Sequence, residues 1–211
     1  MSSARSSSFA VSAVIVLIHL TFALAWAAPH PQPPQNDTTD QRKTDWLQVV
    51  ANWLEYVHDP TKDNASLVLG SIPVCPPACS TESKERALAM RAVWRFAPIL
   101  QKQVLQGKAY AVELAFRLSN FSDADLSEQL YDMLGDIILK QPRLFMAKLQ
   151  QCRCPNTSVD FYLRGSSSPL RSSEQSKEWR RRAEALRKVK DASLIPLRDE
   201  CVKVLTSPEE E

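Results

Sequence analysis

Glycine is scarce in this chain, and its scarcity limits what the chain can fold into. Only 4 of the 211 residues are Gly, well below the share of roughly 7% found in soluble proteins. The four lie far apart, so no glycine-rich loop of the kind that cradles phosphates can form. Hairpin turns also rely on Gly, Asn and Asp, and the chain has 5 Asn. The composition therefore disfavours nucleotide-binding α/β enzymes and β-sandwiches, and it favours a helical domain.

Apolar residues recur at helical spacing over most of the chain after residue 43. We predict an all-α fold of five to seven helices, built as an irregular bundle or a short α-hairpin stack and stapled by disulfides. The neighbouring helices between residues 108 and 151 are HEAT-like in architecture only. The predicted helices cover residues 45–58, 82–106, 108–118, 124–141, 142–151, 174–191 and 196–205. The predicted helix boundaries or kinks lie at Pro60, Pro98, Pro142 and Pro196.

Two segments are predicted as loops, because prolines or polar residues interrupt the helical pattern there. Residues 60–80 are expected to pack Leu67, Val68 and Ile72 inward, and residues 152–169 are expected to form an irregular connection. The first helix is predicted to bury one face, which is formed by Trp46, Val50, Trp53 and Val57.

Two of the glycines have a predicted place in this helical pattern. Gly107 suits the position just after the end of the helix over residues 82–106. Gly135 falls inside a predicted helix, where Gly costs roughly 1 kcal/mol relative to Ala. We therefore expect a packing reason for Gly135.

The two ends of the chain divide it into predicted regions. Residues 9–28 form an apolar run that follows Arg5 and ends in Ala25-Trp26-Ala27, which is typical of a signal peptide over residues 1–27. The alternative is an uncleaved signal anchor across a membrane. Residues 28–43 are predicted to be a disordered Pro- and Gln-rich linker, residues 44–205 a single helical domain, and residues 206–211 an acidic tail. The predicted location is extracytoplasmic, either secreted or periplasmic, with no transmembrane anchor after cleavage.

All 5 cysteines follow the predicted signal peptide. Paired cysteines form disulfides in an oxidising compartment, and the preferred pairing joins the Cys75-x-x-x-Cys79 loop to the Cys152-x-Cys154 loop. Cys201 is the fifth disulfide candidate. The alternative is a metal or redox carrier, in which Cys75, Cys79, Cys152 and Cys154 ligate zinc or cuprous copper as thiolates.

The residues that usually carry catalysis are few. After the predicted cleavage site the chain keeps His30 and His58, and neither belongs to an HExxH or a Ser-hydrolase motif. We therefore predict that the protein is not an enzyme and needs no cofactor. A helical enzyme that works with carboxylates alone is a further alternative.

Four Asn residues stand in Asn-X-Ser/Thr sequons, which accept N-linked glycans in eukaryotic secreted proteins. These are Asn36, Asn64, Asn120 and Asn156. In a bacterial periplasmic protein the same sequons would have no meaning, and the sequence leaves both origins open.

Cationic side chains concentrate in residues 171–190. One interpretation is a helix face that binds an anionic surface. The other is a solvated face held by ion pairs such as Glu178 with Arg182 and Glu184 with Lys188. The residues of the predicted anion-binding face are Arg180, Arg181, Arg182, Arg187 and Lys188.

The formal net charge of +2 gives no reason to expect nucleic acid as a partner. With few catalytic groups and several predicted helical hairpins, the sequence favours an exported, non-enzymatic protein-interaction or scaffold module. Its protein partner is not identified by the sequence.

Overall fold

Helices make up the regular structure of the described part of the chain. The computed structural model describes residues 44–76, 83–122, 124–155, 157–164 and 173–207, and over these ranges it contains nine α-helices, one 3-10 helix and no strand. The predicted all-α class is therefore confirmed. The predicted signal peptide, the 28–43 linker and the last four residues of the acidic tail lie outside the described ranges and stay predictions.

The bounds of the helices follow the chain in order. The α-helices are α1 Trp46–His58, α2 Lys62–Ser71, α3 Lys84–Leu105, α4 Ala109–Ser119, α5 Ala124–Lys140, α6 Pro142–Cys152, α7 Val159–Arg164, α8 Ser173–Arg187 and α9 Ile195–Thr206. The 3-10 helix Ala192–Leu194 leads directly into α9.

Side-chain caps fix where the first three helices begin. The Asp45 carboxylate accepts hydrogen bonds from the backbone N–H groups of Leu47 and Gln48, each at 3.1 Å. Thr61 caps α2 and Ser83 caps α3 in the same way. Each cap satisfies N–H groups that have no partner inside the helix, which stabilises a helix end by about 1 kcal/mol.

Proline marks most of the breaks that the sequence predicts. Pro60 separates α1 from α2, and Pro142 and Pro196 lie in the first turns of α6 and α9. Pro98 is different, because it lies inside α3, a continuous helix of 22 residues. No new helix begins there. Gly107 follows the end of α3 with φ +72°, which confirms its predicted place after the helix.

Two helices lie in segments that we predicted as loops, and this raises the number of helices above the predicted five to seven. They are α2 and α7. Val68 of α2 and Ile72 directly after it are buried as expected, but Leu67 is 54% exposed and does not pack inward. Since α2 buries so few of its side chains, its apolar pattern is too weak to identify it as a helix.

The buried face of α1 differs by one residue step from the predicted one. Val50 and Val57 are only half-buried, because the face that packs on α2 and α3 is turned slightly around the helix axis. The Trp53 indole donates a hydrogen bond to the Ala92 carbonyl of α3 at 3.2 Å and fixes this rotation. The buried residues of α1 are Trp46, Val49, Trp53 and Tyr56.

The central helix is α5, which packs against α3, α4, α6, α7 and α8. A helix with neighbours on nearly all sides buries apolar residues around most of its circumference. The buried residues of α5 include Leu126, Leu130, Tyr131, Met133, Leu134, Ile137 and Ile138.

Gly135 of α5 has the packing reason that the sequence left open. The Arg182 guanidinium of α8 lies directly on it, and a Cβ at residue 135 would overlap that group. The guanidinium donates a hydrogen bond to the Leu163 carbonyl at 2.8 Å and another to the Glu178 carboxylate at 3.3 Å. The absence of a side chain at Gly135 therefore lets α8 approach α5 closely.

One disulfide joins the segment after α2 to the segment after α6. It links Cys75 to Cys154, whose Cα atoms are 5.5 Å apart and which are separated by 79 positions in sequence. The predicted link between the two cysteine loops is thus confirmed for this one bond, whereas Cys152 and Cys201, which were also disulfide candidates, are free thiols. The bond connects the first third of the helical region to the last third.

Candidate functional site

A cleft opens between α6 and the segment that joins α8 to α9. Its volume is about 570 Å³. The α6 side chains that line it recur at helical spacing, so one wall follows the helix axis. We name this site the basic cleft; its lining residues are Gln141, Pro142, Arg143, Leu144, Ala147, Gln150, Gln151, Lys188, Val189, Lys190, Asp191, Ser193 and Leu194.

The least exposed part of the basic cleft is apolar. Val189 and Leu194 are buried, and Leu144 and Ala147 are half-buried. Val189 and Leu194 are only 5% and 4% exposed, so a ligand would cover mainly Leu144 and Ala147 and gain about 25 cal/mol for each apolar Å² removed from water there. The depth of the cleft can therefore contribute to binding without any charge.

Three cations stand at the edge of this apolar surface. Arg143 projects from α6 with its side chain 78% exposed, and Lys188 and Lys190 are exposed on the opposite side. Val189 lies between the two lysines, is buried, and accepts a hydrogen bond from Arg198 through its carbonyl at 2.9 Å. This anchor turns Lys188 and Lys190 toward solvent, and neither makes an ion pair with another described residue.

Asp191 is the one carboxylate among the described residues that line the basic cleft. Its two oxygens have different partners. Oδ1 accepts hydrogen bonds from the Ser193 hydroxyl at 2.8 Å and the Ser193 N–H at 3.2 Å, while Oδ2 accepts one from Arg143 Nη2 at 3.1 Å. The bond from the Ser193 hydroxyl, followed by the one from Arg143, lowers the pKa of Asp191. The cleft thus keeps a net positive charge, with one of its cations engaged.

One residue of the predicted anion-binding face does not belong to the exposed surface of the helix. Arg180, Arg181 and Arg187 are exposed on α8, but the Arg182 side chain is only 12% exposed. Arg182 turns inward because Gly135 leaves room for it. Lys188 lies beyond the end of α8, where it lines the basic cleft. The expected role of Arg182 in a solvent-facing cluster is therefore wrong.

The predicted ion pairs on this helix are partly present. Arg182 pairs with Glu178 at 3.3 Å as expected, and Arg181 shares the same carboxylate at 3.3 Å. The expected pair between Glu184 and Lys188 does not form. The chain leaves the helical path at Lys188, so the spacing rule for helix pairs no longer applies.

The cysteines take positions that do not suit a metal carrier. Cys75 and Cys154 are joined, so neither sulfur is a thiolate that could bind zinc or copper. The thiols of Cys152 and Cys201 are buried, and Cys79 lies outside the described residues. Burial raises the pKa of both thiols, that of Cys201 to about 12. Within the described part of the chain, no group of three or more His, Cys, Asp or Glu side chains could hold a metal ion.

Two of the four sequons can be located. Asn64 lies in the first turn of α2 and donates a hydrogen bond to the Asp59 carbonyl at 2.9 Å. Asn36 and Asn156 lie outside the described residues.

The Asn120 amide connects three segments. Its Nδ2 donates to the carbonyls of Val74 at 2.8 Å and Cys152 at 3.2 Å, and its Oδ1 accepts from the Tyr162 hydroxyl at 2.6 Å. Sequence reasoning missed this role, because a sequon says nothing about contacts between residues 30 to 50 positions apart. A glycan on Nδ2 would displace at least one of these bonds.

A catalytic arrangement of carboxylates would require two acids with divergent pKa values in one cleft. Burial raises the pKa of Asp132 on α5, and the nearby Asp136 and Glu128 act in the same direction, while Arg182 opposes them. These three acids do not line the basic cleft. His58 is exposed at the end of α1, where a cation suits the helix dipole.

Comparison with protein-family models, with curated proteins and with solved structures finds no match for this chain. Among the described helices, none combines the length and apolar character that crossing a membrane requires.

Proposed function

We propose that this protein is an exported, non-enzymatic interaction module that binds an acidic segment of a partner protein in the basic cleft. The observation that carries the proposal is the combination of an apolar floor with exposed Arg143, Lys188 and Lys190 at its edge. Such a site buries apolar side chains and attracts carboxylates at the same time.

The shape and chemistry of the basic cleft favour a peptide over other anionic ligands. A sulfated polysaccharide gains little from apolar residues such as Leu144 and Ala147, and a membrane surface would meet a concavity rather than a protruding face. The side-chain amides of Gln150 and Gln151 can donate to and accept from a peptide backbone. An acidic peptide with apolar side chains uses all three features.

The proposed extracytoplasmic location is supported by two features. The first is the predicted signal peptide over residues 1–27. The second is the disulfide between Cys75 and Cys154, a bond that persists mainly in oxidising compartments.

The proposal is tested with a short fluorescent peptide of alternating Glu and Leu, and with a Gln–Leu peptide of the same length as the neutral control. Fluorescence anisotropy should show binding of the Glu peptide that weakens as salt is added. Replacing both cleft lysines with Gln (K188Q/K190Q) should weaken binding about five- to tenfold, since each exposed charge contributes a small amount.

The matched control removes two cations from the exposed face of α8 (R180Q/R181Q), which lies outside the basic cleft. It should leave the affinity nearly unchanged. If both double variants lose affinity equally, binding depends on general positive charge and the proposal is wrong. Tight binding of heparin or anionic vesicles without binding of the Glu peptide would also contradict it.

A further inference from the structure

We infer that Arg143 forms a carboxylate-specific subsite of the basic cleft, which Asp191 occupies until an Asp or Glu side chain of the bound peptide replaces it. The inference rests on the proposed function and adds to it the chemical group that is recognised and the residue that competes for it.

Arg143 and Asp191 form an ion pair within the basic cleft. Arg143 Nη2 lies 3.1 Å from Asp191 Oδ2, and the two residues are 48 positions apart in sequence. Arg143 comes from α6 and Asp191 from the segment before the 3-10 helix, so the pair connects the two walls of the basic cleft. A carboxylate therefore already sits at the position where a ligand carboxylate would meet Arg143.

The ion pair between Arg143 and Asp191 can open at little cost in free energy. The Arg143 side chain is 78% exposed, and that of Asp191 is 28% exposed. Exposed ion pairs stabilise a protein by about 0–1 kcal/mol. A guanidinium has further N–H donors in a planar fork, and it can bind a second carboxylate with two parallel hydrogen bonds. A ligand that forms such a bidentate contact can displace the single bond to Asp191.

The two Asp191 oxygens have separate partners. Oδ1 caps the 3-10 helix through the Ser193 N–H and hydroxyl, and Oδ2 contacts Arg143. When Arg143 leaves, Asp191 keeps the two bonds that hold the backbone. The exchange therefore requires no rearrangement of the helix that follows.

The decisive variant is Asp191→Asn, which keeps the capping oxygen and replaces the oxygen that faces Arg143 with an N–H donor. Arg143 should then be free, and the Glu–Leu peptide should bind about two- to fivefold more tightly by fluorescence anisotropy. In the Arg143→Gln background, the same substitution at Asp191 should have no such effect. Arg143→Gln alone should reduce the preference for the Glu peptide over the Gln peptide.

The matched control is Glu184→Gln. Glu184 is an exposed carboxylate of α8 that does not line the cleft. It removes one negative charge without freeing Arg143, so the affinity should not change. If it tightens binding as much as Asp191→Asn does, net charge explains the result and the inference is wrong.

A second variant, Asp191→Ser, retains a hydroxyl that can cap the 3-10 helix and should also tighten binding if the Asn variant does not fold. Wild-type binding that depends on Lys188 and Lys190 but is unchanged by both Asp191 variants would overturn this inference and leave the proposed function standing. If no variant binds the peptide, both fail.

Discussion

Gly135 and Arg182 form the residue pair that the structure explains most directly. A glycine in the middle of a helix costs roughly 1 kcal/mol relative to alanine, and here the cost is offset by the guanidinium that covers it. Arg182 also joins α8 to α7 through the Leu163 carbonyl. The missing side chain at Gly135 leaves the space that the Arg182 guanidinium fills.

We expect Gly135→Ala to lower the free energy of unfolding by about 1–3 kcal/mol, because the new methyl group overlaps a held side chain in a packed interior. In the Arg182→Ala background the same substitution should raise the free energy of unfolding by roughly 1 kcal/mol, because only the higher helix propensity of Ala then acts. Urea denaturation of the two single variants and the double variant measures this change of sign.

Gly70→Ala provides the matched control for this cycle. Gly70 lies in α2, and a Cβ there meets no atom of the described residues within 4 Å. Its substitution should therefore stabilise the protein slightly, with or without Arg182. If Gly135→Ala is stabilising in the wild-type protein, Arg182 moves away at no cost and the packing explanation fails.

Sequence reasoning could find the need at Gly135 but not its cause. A glycine inside a strong helical pattern is visible in the sequence, whereas Arg182 lies 47 positions later and its inward direction depends on tertiary packing. The basic cleft shows the same limit. Lys188 belongs to a cluster of cations that is visible in the sequence. Nothing near Arg143 in the sequence indicates that its side chain pairs with Asp191, which lies 48 positions later.

At the level of elements, helices with a strong apolar stripe were predictable and short helices were not. The apolar stripes of α3, α5 and α8 predicted the helix type correctly, with bounds within two residues for α3 and α5, whereas α8 ends at Arg187, four residues before the predicted end. In contrast, α2 and α7 contribute few buried side chains, and their position is set by neighbouring helices. The rotation of α1 was also missed, since both of its candidate faces carry apolar residues.

The disulfide stabilises the connection between two of these elements. In the chain-entropy model, closing a loop of the 79 positions between Cys75 and Cys154 contributes about 4 kcal/mol. We expect Cys75→Ser/Cys154→Ser to lower the free energy of unfolding by about this amount in guanidinium denaturation. The fold should persist, because Asn120 and Arg117 still bond the carbonyls of Val74 and Ile72.

Cys79, which shares a loop with Cys75 in sequence, supplies the control for that prediction. Cys79→Ser should leave the stability and its sensitivity to reductant as in the wild-type protein. The double serine variant should show no further loss on reduction. If Cys79→Ser abolishes the effect of reductant, then Cys79 takes part in the stabilising bond and the Cys75–Cys154 assignment is wrong.

At the scale of the whole molecule, the helices share one apolar core. The buried residues of α1 to α9 form a single cluster that includes both Cys152 and Cys201. These two free thiols lie on different helices, at the end of α6 and within α9, with 1% and 0% exposure. They can therefore report whether distant parts of the core open together.

We predict that both thiols react with a small disulfide reagent only when the whole domain unfolds. Burial keeps them from the reagent, and burial raises the pKa of Cys201 to about 12 and also raises that of Cys152, so little thiolate is present near neutral pH. For a cooperative domain, the two free energies of opening should equal each other and the free energy of global unfolding.

The measurement follows labelling of each thiol by mass spectrometry in the Cys79→Ser background, over a series of sub-denaturing urea concentrations. Faster and urea-independent labelling of Cys201 would mean that α9 detaches from α7 and α8 on its own, and that the core divides into separately unfolding parts. Equal protection of both thiols would instead mean that α6 and α9, which form or border the walls of the basic cleft, separate only on global unfolding, so that a ligand meets the cleft already formed.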